Sequence, residues 1–151
     1  MAEELASANV NRAYSLAGTS IAIFTFLLIF MFPRLATGEV DATLFQVTLL
    51  VMGVATFSFV FASFSYYCAA VGGRFDGAGR LRLSRRGDQF WLLGYTLLFL
   101  APSLVLFAAR LRAVGSVWLA LWLIYLFLVV RWFPRIQTAR QDAVPGGMAA
   151  N

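Results

Sequence analysis

Apolar residues fall in four long blocks, each closed by Arg, Gly or Pro. Ala13–Phe32 ends at Pro33-Arg34, Thr43–Val71 at Gly72-Gly73-Arg74, Gln89–Ala109 at Arg110, and Ser116–Phe133 at Pro134-Arg135. A hydrocarbon core about 30 Å thick takes about 20 helical residues to cross. The first, third and fourth blocks fit that length. The second has 29 residues and must tilt or project past the interface. No Asp, Glu or Arg lies deep within a block. The pattern predicts an all-α polytopic membrane protein. Its four spans (about 13–32, 43–71, 89–109 and 116–133) form two antiparallel hairpins in a bundle. Residues 1–12 form an N-terminal segment and 134–151 a C-terminal tail. The first block is too long for a signal-peptide core, and Glu3 and Glu4 oppose a basic start. It is read as a retained helix.

The blocks are not uniformly apolar. In the second, Thr48, Val51, Ala55, Ser58, Ala62, Ser65 and Ala69 follow 3-4 spacing, one seam of a left-handed helix pair. Phe57, Phe61 and Phe64 lie opposite. In lipid, helices associate by close backbone approach, so small residues mark interfaces. In the first block, Ser15, Gly18, Ala22 and Thr25 repeat the device. Spans one and two are expected to pack antiparallel along these two seams. The alternative is that the second-span seam lines a pore, with Thr48, Ser58 and Ser65 facing water. The third block has a sparser seam of Gly94, Ala101 and Ala108. Its Pro102 frees the carbonyl of Leu98 and predicts a kink, with Thr96 or Ser103 available to satisfy the freed group. In the fourth, Trp118, Trp122 and Tyr125 share a stripe that packs, or forms a wall for a flat ligand such as a quinone.

Charge adds orientation. All twelve basic residues are Arg, against seven acidic ones. With the N-terminus inside, nine of them (Arg12, Arg74, Arg80, Arg82, Arg85, Arg86, Arg131, Arg135, Arg140) lie on the cytoplasmic side. Arg34, Arg110 and Arg112 lie opposite. The positive-inside rule then predicts both termini in the cytoplasm, and a bacterial inner membrane is the expected setting. The net charge of +5 is thus a topology signal rather than a nucleic-acid footprint. Segment 73–88 is expected to be a loop whose Arg74, Arg80, Arg82, Arg85 and Arg86 fix orientation and can touch anionic lipid.

Candidate chemistry is sparse. Apolar residues make up 61% of the chain and charged ones 13%, far from a soluble domain. There is no His, no Lys and one Cys, which removes the usual bases, haem and zinc ligands, and disulfides. Membrane enzymes and coupled pumps carry ionisable groups within their spans, and these spans carry none. The expectation is a non-enzyme without cofactor or metal. It would work through lateral helix contacts, as a scaffold or accessory subunit in a homo- or hetero-oligomer. The alternatives are a small oligomeric channel lined by the second span, or a quinone- or lipid-binding module.

Overall fold

The structure is a computed structural model. It describes the backbone of residues 2–71 and 77–142, and the side chains of 8–71 and 77–131. Four helices follow one another: α1 (Ala2–Ala36), α2 (Ala42–Val71), α3 (Gly77–Ala108) and α4 (Arg112–Asp142). Each contains a stretch long and apolar enough to cross a membrane. There is no strand among the described residues. The protein is an all-α membrane protein of four helices.

The helices outrun their apolar blocks. α1 continues through Pro33 to Ala36, and α3 continues through Pro102. α3 also starts at Gly77, so most of the segment expected as a loop is helical. Leu and Arg, good helix formers, fill the interval from Arg80 to Arg86. The next turn is anchored to α2: Gly87 lies against the Tyr66 ring, and the Tyr66 hydroxyl donates to Asp88 Oδ1 at 2.7 Å. Beyond the fourth block the helix runs on to Asp142.

The most extensive contact joins α2 to α3, across the two hairpins. That between α1 and α2 is smaller, and that between α3 and α4 smaller still. The α2–α3 contact has a heptad logic. On α3, Gly87, Gly94, Ala101 and Ala108 recur every seventh residue and are all buried. On α2, Phe45, Met52, Phe59 and Tyr66 do the same. The two rows meet in opposite directions, small against large. A Cβ placed on Gly87 would come within 2.7 Å of the Tyr66 ring, and one on Gly94 within 2.9 Å of the Phe59 ring. Ala101 and Ala108 share a packed cluster with Met52 and Phe45. The absent side chains of α3 are the room that the α2 side chains fill. Lipid tails are as apolar as Phe, so this fit, rather than escape from water, holds the pair.

α1 packs on the neighbouring face of α2. Ala13, Ala17, Ser20 and Leu27 are buried. Val10 packs beside Ala13 and Ala62, while Phe24 and Met31 pack on the Met52 cluster. These α1 residues follow 3-4 spacing and run antiparallel to the α2 seam.

Backbone hydrogen bonds stitch one end of the bundle. At the end of α1, Gly38 takes a left-handed φ of 73°. Its N–H donates to Leu35 O, and Glu39 N–H donates to Arg34 O, a Schellman cap. Asp41 Oδ1 accepts the Leu44 N–H at 2.9 Å and caps the start of α2. Asp41 N–H donates to Ala108 O at 2.9 Å, tying the α1–α2 connection to the end of α3. α3 closes with a second Schellman cap, Arg110 N–H to Phe107 O and Leu111 N–H to Leu106 O. Here the left-handed residue is Arg110, at φ 61°, where glycine is the usual occupant. Such a residue costs about 1 kcal/mol or more.

The α2–α3 register makes a direct prediction. Gly94→Val should drive the helices apart and destabilise the protein by about 1–3 kcal/mol, read as unfolding in mixed micelles. Combining it with Phe59→Leu should recover part of the loss. Additive destabilisation would show that the ring and the glycine do not share one site.

Candidate functional site

The α2 stripe comes to the interior. Thr48, Ala55, Ser58, Ala62 and Ser65 are buried, and Ala69 is half-buried. Their hydroxyls bond back to their own helix: Thr48 Oγ1 to Leu44 O at 2.7 Å, Ser58 Oγ to Val54 O and Ser65 Oγ to Phe61 O, both at 2.8 Å. In this arrangement they line helix contacts within the chain. Phe57, Phe61 and Phe64 point outward as expected.

The α1 stripe does the opposite. Ser15, Gly18, Ala22 and Thr25 are exposed, and a Cβ on Gly18 would meet nothing within 4 Å. The expected pairing of the two small-residue seams is therefore corrected. α1 turns a face roughly 150° away, at 3.6 residues per turn. Ala13, Ala17 and Ser20 allow equally close approach, and their neighbours Val10, Phe24, Leu27 and Met31 pack onto the partner helices. The Ser15–Thr25 stripe has large neighbours too, Ile21 and Ile29 among them, but these stay exposed. Spacing and composition alone could not separate the two.

Hydrogen bonds from side chains also cross between α3 and α4. Ser103 Oγ, buried, donates to Gly115 O at 3.0 Å. Trp122 Nε1–H donates to Thr96 O at 2.8 Å. Thr96 Oγ1 donates to its own Leu92 O. The two hydroxyls expected to serve the carbonyl freed by Pro102 are thus engaged elsewhere. Trp122 and Tyr125 lie on α3, with Tyr125 against Phe99 at a ring-centroid distance of 5.2 Å. Trp118 remains exposed. Trp122 and Tyr125 thus pack on α3, the first of the two readings of the stripe. The aromatic line continues along α3 through Tyr95 and Trp91.

Two hydroxyls have no partner among the described residues. Ser20 Oγ and Ser63 Oγ are wholly buried and unbonded. Of the candidate lipid contacts, Arg80, Arg82, Arg85 and Arg86 are exposed on the first turns of α3. Arg74 lies outside the described residues. No family model, curated protein or solved structure matches the chain.

These polar groups predict effects of opposite sign. Ser103→Ala and Trp122→Phe each remove a bond across helices and should destabilise by about 0.6–1.7 kcal/mol, with faster hydrogen exchange in α4. Ser20→Ala removes an unsatisfied hydroxyl and should leave stability equal or higher. A loss from Ser20→Ala matching that from Ser103→Ala would contradict this assignment.

Proposed function

We propose that the protein is a non-catalytic integral membrane protein that works by lateral helix contact, as a scaffold or accessory subunit of a membrane complex. The supporting observation is the outward α1 stripe of Ser15, Gly18, Ala22 and Thr25. It has the composition of a helix interface but no partner helix within the chain. Its hydroxyls are satisfied locally where bonds are seen, as in Thr25 Oγ1 to Ile21 O at 2.9 Å, so the stripe offers shape more than polarity. The occupant that fits is another transmembrane helix with small residues of its own, from a second copy or a different subunit. α4 is the other open flank, with Leu121, Ile124, Phe127 and Leu128 exposed. The Arg distribution supports cytoplasmic termini, and a bacterial inner membrane is the default setting for so compact a chain.

Photo-crosslinking in native membranes tests the reading. Crosslinkers at Ile21 and Ile29, large exposed residues beside the stripe, should trap a discrete adduct, whereas one at Phe57 on α2 should not. Gly18→Leu should abolish the adduct without unfolding the protein, because Gly18 touches no other helix. Monomer alone at every position would count against lateral contact through α1.

A further inference from the structure

At the stitched end of the bundle, Asp41, Leu44, Phe107, Arg110 and Arg112 line a cavity of about 360 Å³. Its size falls within the range of ligand sites. Two arginines and one aspartate are among its lining residues, and Asp41 Oδ1 already accepts the Leu44 N–H. Among the described residues no ion pair occupies either Arg. α4 begins at Arg112 and has no acidic residue in its first turn, so the positive end of its dipole adds to theirs. The walls are fixed by the Asp41 cap, the Asp41–Ala108 bond and the Schellman cap at Arg110.

The backbone supplies a separate argument. Position 110 is left-handed, and glycine would hold it with less strain. The arginine is therefore a poor choice for the turn, and the residue lines the cavity. Strain retained at a residue facing a cavity points to a use for that side chain.

We propose that this cavity binds a phosphate group, with Arg110 and Arg112 as its donors. Paired guanidiniums present planar forks of N–H groups that match phosphate oxygens. Leu44 and Phe107 belong to the helix turns just inside this end, Arg110 belongs to the α3–α4 connection, and Arg112 is the first residue of α4. That order, apolar then cationic, matches a phospholipid at the membrane surface, its headgroup on the arginines and its first methylenes on Leu44 and Phe107. A free phosphate would use the same donors without the apolar contact.

The test uses the full chain in maltoside micelles, with phosphatidylglycerol and inorganic phosphate as separate probes. Native mass spectrometry should show saturable retention of one phosphatidylglycerol, reduced about tenfold or more in Arg112→Gln. Arg110→Gly should lose the lipid to the same extent while its melting temperature stays equal or rises. Competition by millimolar inorganic phosphate would assign the site to phosphate itself, and its absence would assign it to the lipid headgroup. Retention unchanged in both variants overturns the proposal. So does an equal loss in Arg80→Gln/Arg82→Gln, which leaves the cavity intact. A lowered melting temperature with lipid still bound in Arg110→Gly would show that Arg110 serves the turn instead.

Discussion

Close approach of α2 and α3 is the constraint on which the remaining architecture rests. Every seventh residue of α3 from Gly87 to Ala108 is Gly or Ala. Every seventh residue of α2 from Phe45 to Tyr66 is large and buried. With water absent from both the folded state and its surroundings, burial of Phe59 or Met52 gains little by itself. The gain is van der Waals contact at short range, which falls away steeply with a gap of even 1 Å. Glycine at 87 and 94 allows that range to be reached. The heptad repeat keeps it along the full contact, and α1 and α4 then add to the flanks of this pair.

Polar groups follow the same economy of place. The α2 hydroxyls turn back to their own carbonyls, so the tightest helix contacts are made by shape. Where contact is thinner, between α3 and α4, bonds from Ser103 and Trp122 cross from helix to helix. This division leaves α1 and α4 as the flanks of the bundle. The small-residue stripe of α1 and the broad apolar face of α4 both look outward.

The two ends of the bundle are built differently. At one end Tyr66 and Asp88 hold the Arg-rich extension of α3 against α2. At the other, caps and a cross-connection bring Asp41 to the end of α3. Gly38 meets its left-handed cap without strain, and Arg110 meets the equivalent one with it. Two similar turns thus carry different residues, and the strained one borders a cavity. The proposed phosphate site rests on that asymmetry.

The four blocks, the absence of charge within them and the spacing of the α2 stripe were legible in the chain itself. Hydropathy reports length and environment directly, because the bilayer sets both. The α3 row was partly legible through Gly94, Ala101 and Ala108, but its match to Phe45, Met52, Phe59 and Tyr66 was not. A small residue marks where something can come close, and only the partner decides what does. The same ambiguity misassigned α1. Ser15–Gly18–Ala22–Thr25 and Ala13–Ala17–Ser20 are both small stripes on one helix with large neighbours, and the choice depends on which set interlocks with α2. The helical extension through Arg80–Arg86 was missed because charge reads as loop, whereas the tie at Gly87 and Asp88 comes from another helix. Sequence alone therefore determined a four-span membrane helix protein and where its helices could touch. Tertiary structure decided which faces met, since complementarity is a property of two surfaces and periodicity a property of one.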